Sequence, residues 1–106
     1  NPYIFPGIGL GAIVVGSSRV TTKLFLIAAQ ELAKFSPIKS ENNFNFLPPL
    51  TEVRNIARNI AFKVAKEAIK SGLTLYENIS DDDINSMLDK YIWNPVYVPY
   101  KYKSMK

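Results

Sequence analysis

The stretch Thr51-Glu52-Val53-Arg54-Asn55-Ile56-Ala57-Arg58-Asn59-Ile60-Ala61-Phe62-Lys63-Val64-Ala65-Lys66-Glu67-Ala68-Ile69-Lys70-Ser71-Gly72 decides the fold class. Val53, Ile56, Ala57, Ile60, Ala61, Val64, Ala65 and Ala68 recur at steps of three and four, which gathers them on one broad face of an α-helix. Arg54, Arg58, Lys63, Lys66, Glu67 and Lys70 fall largely elsewhere. Thr51 is the expected N-cap, and Glu52 sits in the first turn, where the helix dipole favours an acid. Gly72 is the expected residue beyond the C-cap, with Lys70 in the last turn. Each large aliphatic on this face is worth about 1.5–3 kcal/mol when fully buried, so Ile60→Asp should break the region.

Working outward, the upstream neighbour is loop: Lys39-Ser40-Glu41-Asn42-Asn43 is polar and Pro48-Pro49 stiffens the exit. A helix over about 21–35 precedes it, capped by Thr21, with Leu24, Ala28, Leu32 and Phe35 in one stripe and Phe25 and Ala29 beside them. Ser36-Pro37 ends that helix, because a residue before proline is pushed out of the α region. Another helix covers about 6–17, and Pro6 is acceptable near its start. Gly7, Gly9 and Gly11 each weaken it by about 1 kcal/mol relative to alanine, and close packing of a neighbouring backbone is the usual compensation. Apolar all round, this segment is expected to be buried on every side.

Downstream, Leu73-Thr74-Leu75-Tyr76 reads as a short extended piece. Ser80 then caps a helix over about 81–93, with Asp81, Asp82 and Asp83 in its first turn and Ile84, Met87, Leu88 and Tyr91 on its face. Asn94-Pro95 ends it, and residues 94–106 form an extended aromatic tail. The fold class is therefore mostly α, with about four helices and little or no strand.

A chain of 106 residues, 47% hydrophobic and 21% charged, fits one globular domain. The net charge of +4 is too small to demand nucleic acid. Absence of cysteine removes disulfides and thiolate chemistry, and fits a reducing cytoplasm. Absence of histidine removes the side chain that most often titrates near neutrality. The apolar run from Tyr3 to Val15 is shorter than the roughly 20 residues that span a bilayer. A soluble chain without membrane or nucleic-acid partners is the expectation.

Three patterns invite a site, and each has a plainer reading. Gly7-Ile8-Gly9-Leu10-Gly11-Ala12 fits the dinucleotide pattern, yet no βαβ unit surrounds it, so close helix packing is preferred. Asp81-Asp82-Asp83 point about 100° apart on a helix, and complementing the dipole explains them better than a metal does. Lys101, Lys103 and Lys106 among Tyr97, Tyr100 and Tyr102 suit single-stranded nucleic acid, but a docking segment or a disordered end is the simpler reading of so short a terminal tail. Asn1 is a carboxamide that donates and accepts, just ahead of a helix N-terminus where it could orient a carboxylate or an amide-bearing cofactor.

Asn1-x-Tyr3-Ile4-Phe5-Pro6-Gly7 followed by Gly9-Leu10-Gly11 resembles the C-terminal part of malic enzymes. Ser18-Arg19-Val20-Thr21 with Phe25-Leu26-x-Ala28-Ala29 is similar to the start of the family's next helix. Leu47-Pro48-Pro49-Leu50 with Ile56-Ala57, Ile60-Ala61 and Val64-Ala65 is similar to the helix after it. Tyr91-Ile92-Trp93-Asn94-Pro95-Val96-Tyr97 resembles the aromatic end of the bacterial NAD-dependent branch. The resemblance runs over essentially all of the chain. It implies the C-terminal helical part of an α/β Rossmann-type NAD-binding domain, residues 1–106, in an oxidoreductase that turns malate into pyruvate and CO2. NAD or NADP and Mg²⁺ or Mn²⁺ are the implied cofactors, in a cytoplasmic homo-oligomer. Catalytic residues, metal ligands and dinucleotide glycines would all lie upstream. Only Asn1 carries over: it matches the second Asn of the family's Asn-Asn pair and would bind malate.

On this reading the chain alone is inactive. Two alternatives stay open. One is a helical interaction module that self-associates through its apolar first helix, which so short a chain cannot easily enclose. The other is a segment of a malolactic enzyme, which shares the architecture and releases lactate.

Overall fold

The computed structural model describes residues 4–35 and 52–93. They form four helices: α1 (Ile4–Val14), α2 (Thr22–Ala33), α3 (Val53–Lys70) and α4 (Asp81–Trp93). No strand occurs among the described residues. The loop expected around 38–50, its flanks Ser36-Pro37 and Thr51, and the tail over 94–106 lie outside them.

α3 is the central helix, and α1, α2 and α4 all pack on it. Its apolar face is the one read from the spacing. Ile56, Ile60, Ala61, Val64, Ala65 and Ala68 are completely buried, while Val53 and Ala57 sit half-buried at the margin. Ile8 and Val15 from α1 and its end, Leu24, Ala28 and Leu32 from α2, and Ile84 and Leu88 from α4 complete one core. Tyr91, expected on the inner face of α4, is instead 45% exposed.

The helix ends follow local chemistry. The Thr21 hydroxyl accepts from the Leu24 amide at 3.3 Å, fixing the start of α2. At the start of α4 the bonds are reciprocal: the Asp83 amide donates to Ser80 Oγ at 3.0 Å, and the Ser80 amide donates to Asp83 Oδ2 at 3.3 Å. Glu52 occupies the N-cap position of α3 rather than its first turn, and makes no side-chain capping bond.

α1 and α3 end alike. Gly72 adopts φ +74°, its amide donates to the Ile69 carbonyl and the Leu73 amide to that of Ala68. Gly16 adopts φ +64°, with the same bonds from Gly16 to Ile13 and from Ser17 to Ala12. This stop places the end of α1 at Val14, before the expected residue 17. The Ser18 amide then donates to the Leu73 carbonyl at 2.8 Å, tying the two helix ends together. The segment 73–76 is a turn and not a strand, with the Tyr76 amide donating to Thr74 Oγ1 at 3.0 Å. No helix of the described residues is long and apolar enough to cross a membrane.

Candidate functional site

Asn1, the substrate-binding residue expected from the sequence, lies outside the described residues. What the structure does describe is the helix that begins three residues later, and its glycines explain how α1 sits. Methyl groups built on Gly7 would come within 2.6 Å of Ile60 Cγ2, and on Gly11 within 2.5 Å of the Ala61 carbonyl oxygen. Gly7 faces Ala57 and Ile60, and Gly11 faces Ala61 and Val64, so the contacts climb both helices in step. α1 therefore runs parallel to α3, nearly backbone to backbone.

This geometry decides the dinucleotide pattern. A phosphate cradle needs its glycines at a helix N-terminus with free amides. Gly7, the first glycine of the pattern, is instead covered by α3, and Gly9, the second, lies inside α1 beyond its first turn, where helical hydrogen bonding takes up its amide. The described residues do not fit a pyrophosphate at this motif.

The expectation that α1 is buried on every side is corrected. Ile8, Ala12 and Val15 are buried, but Phe5 and Ile13 are each 59% exposed. Helical apolarity says that every face avoids water, and the described neighbours cover only one side.

The aspartates at α4 are structural. Asp81 pairs with Lys66 at 3.1 Å, and Asp83 completes the cap. Among the described residues no group of acidic side chains is placed to hold a metal. The tyrosines and lysines of the tail lie outside the described residues.

Sequence reasoning missed the buried acids Glu31 and Glu67, because both stand at positions where their helices look polar. Glu67 is 8% exposed. The Ser71 hydroxyl donates to its Oε2 at 2.7 Å, and the Lys23 ammonium lies 3.3 Å from the same oxygen. The Ser71 hydrogen bond holds the Glu67 carboxyl below the usual glutamate value against the opposing effect of burial, and Lys23 adds to it. Glu31 is satisfied by Lys34 at 3.1 Å. Glu67 thus ties α3 to α2 through Lys23, whereas Glu31 is paired within α2. No buried side-chain polar atom among the described residues lacks a hydrogen-bond partner.

Comparison with known proteins identifies the family. Residues 1–69 match the family model for the malic enzyme NAD binding domain. The chain is 44% identical over 101 residues to an NAD-dependent malic enzyme of Vibrio campbellii, and 42% identical over 101 residues to one of Acinetobacter baylyi. Each match covers 95% of this chain and 18% of the relative. A third NAD-dependent malic enzyme, from Colwellia psychrerythraea, is 37% identical over 105 residues, covering 99% of this chain and 18% of its own length. The chain thus spans less than a fifth of these relatives. The family-model match over residues 1–69, together with similarity that reaches across nearly the whole chain, makes it a member of the malic enzyme family.

Proposed function

We propose that this chain is the C-terminal helical part of the NAD-binding domain of an oxidoreductase that converts malate to pyruvate and CO2. The observation that carries the reading is the match of 95% of the chain to 18% of an NAD-dependent malic enzyme. An α/β Rossmann-type body upstream, a homo-oligomeric assembly and a cytoplasmic setting belong to the same reading. In the whole enzyme a divalent metal, Mg²⁺ or Mn²⁺, held by residues outside this chain, would supply Lewis-acid polarisation of the substrate, and NAD or NADP would serve as hydride acceptor.

The role of this chain is to complete one wall of the site. Asn1 would donate its carboxamide N–H to a carboxylate of malate, from a side chain that does not itself titrate. α1, anchored on α3 through Gly7 and Gly11, supplies a stiff mount for the residues just ahead of it. Chemistry is left to the rest of the protein.

The test is malate-dependent NADH formation with Mn²⁺. The 106-residue chain should give none, and the intact encoded protein should give turnover with pyruvate as product. Turnover by the short chain would overturn the assignment of catalysis to upstream residues, and lactate as the product would make the parent malolactic. In the intact protein Asn1→Ala should weaken malate use while leaving the thermal midpoint in place. Unchanged kinetics would remove Asn1 from the site. Cut from its body, the short chain should self-associate through the exposed Phe5 and Ile13, and a monodisperse monomer in light scattering at high concentration would count against that.

A further inference from the structure

The three glycines of α1 are not equivalent. Nothing lies within 4 Å of a methyl built on Gly9, whereas Gly7 and Gly11 have no room for one. Those two also differ in what stands opposite. At Gly11 the near atoms are the Ala61 backbone and the Cβ of Val64. At Gly7 they are Ile60 Cγ2 at 2.6 Å, Ile60 Cβ at 2.7 Å and the Ala57 carbonyl oxygen at 3.0 Å. Ile60 is completely buried on the inner face of α3. Its Cβ is bonded to the α3 backbone, so no change of rotamer relieves a clash with residue 7.

Gly7 stands in the first turn of α1, which starts at Ile4. Its contact therefore sets the height of that turn above α3, and the Gly11 contact sets the height one turn further on. A methyl at residue 7 has to move from 2.6 Å to an ordinary separation of 3.4 Å or more. At a rise of about 1.5 Å per residue, Gly7 lies roughly 6 Å from Gly11 and Ile4 roughly 10.5 Å. A tilt about the Gly11 contact thus turns a shift of roughly 0.8 Å at residue 7 into roughly 1.4 Å at the start of the helix. Misplacing a substrate-binding group by about 1 Å is enough to cost about 100-fold.

We propose that Gly7 and Ile60 are positioning residues for malate: their contact holds the first turn of α1, and with it Asn1 three residues ahead of Ile4, at the depth the substrate requires. The inference rests on the proposed reading of the chain as part of a malic enzyme with Asn1 as a malate ligand. Gly7 has no side chain to offer, and Ile60 acts only through α1. A carboxamide that grips a carboxylate away from the reacting bonds serves ground state and transition state alike. Its misplacement should therefore raise KM for malate and leave kcat nearly in place.

The experiment is steady-state kinetics of the intact encoded protein with malate, NAD and Mn²⁺. Gly7→Ala should raise KM for malate about tenfold or more, with kcat and KM for NAD changed less than about twofold. On an Asn1→Ala background the same substitution should raise KM no further, because the group it misplaces is already gone. Ile60 gives a second test in a protein that folds. Ile60→Leu keeps the volume but removes the methyl branch that faces Gly7, whereas Ile60→Val keeps Cβ and Cγ2 and empties part of the core. Leucine should raise KM for malate severalfold, and valine should leave it in place while lowering the thermal midpoint. A KM that follows the midpoint through these variants would make the contact merely structural and overturn the proposal. So would a wild-type KM in a folded Gly7→Ala, a rise in KM for NAD in step with that for malate, or additive effects of Gly7→Ala and Asn1→Ala. If Gly7→Ala does not fold, the order of leucine and valine decides alone. A wild-type protein that does not turn over malate sinks the functional reading and this inference together, whereas an active one whose Gly7 and Ile60 variants keep the wild-type KM sinks the positioning alone.

Discussion

Gly11 and Ala61 meet backbone to backbone: a methyl at residue 11 would lie 2.5 Å from the Ala61 carbonyl oxygen and 3.1 Å from its Cα. Backbone atoms in mid-helix cannot step aside as a side-chain end can. Gly11→Ala gains about 1 kcal/mol of helix propensity but has to push α1 off α3, and overpacking of this kind costs about 1–3 kcal/mol. The expected outcome is net destabilisation in urea unfolding of the intact protein, with Gly11→Val worse. A stabilised Gly11→Ala would mean that the two helices are not in contact.

Glu67 makes stability depend on acid. Its folded carboxyl lies below the ordinary value of 4.5, chiefly through the Ser71 hydroxyl. A depressed carboxylate contributes stability that is complete well above the unfolded value and is lost as pH falls through the folded one. Glu67→Gln should therefore lower the melting temperature at pH 7. The gap to wild type should narrow on acidification below 4.5. A gap independent of pH would locate the effect in packing and not in charge.

α4 is held to α3 by Arg58, whose guanidinium donates to the Asn85 carbonyl at 3.2 Å and lies 2.8 Å from Asp89 Oδ1. With Lys66 opposite Asp81, these contacts run in opposite senses along the two helices and make them antiparallel. Asp89 is 58% exposed at its side chain, so a double-mutant cycle of Arg58→Ala with Asp89→Ala should couple by about 0.2–1 kcal/mol. The coupling should shrink in high salt. Strong, salt-independent coupling would contradict the exposed geometry.

Ser80→Ala removes an acceptor from the Asp83 amide and should cost about 1 kcal/mol. Ser80→Asp should recover most of it, because an aspartate oxygen accepts from the same amide. If alanine and aspartate behave alike in chemical denaturation, the capping bond is not stabilising α4.

Much of the fold was readable from residues whose preferences are local. Thr21, Ser80 and Gly72 mark helix ends with side chains or a backbone freedom that act within a few residues. The period of α3 survives because Ile56, Ile60, Ala61, Val64, Ala65 and Ala68 carry its buried face, with Glu67 the one acid among its buried residues. Gly16 carried the same stop signal as Gly72, but the apolar residues continuing before it masked the end of α1. Glu31 and Glu67 were invisible as buried groups, because an acid is normally placed at the surface and only its partners Lys34, Lys23 and Ser71 make burial tolerable. Tyr91 shows the converse: the right spacing for an inner face, yet nearly half exposed at the end of α4.

The sequence by itself settled that the described residues are helical, that α2 and α4 begin after Thr21 and Ser80, which face of α3 is inward, and which family the order of motifs belongs to, while α1 starts at Ile4, ahead of the expected Pro6. Periodicity and capping are properties of neighbouring residues, so a linear text contains them. Tertiary structure alone decided that α1 lies parallel to α3, that Gly7 and Gly11 serve that contact, and that Phe5, Gly9 and Ile13 face away from it. Three glycines at even spacing look identical in the sequence. Only the position of a second backbone, brought there by folding, separates the two that are filled from the one that is open.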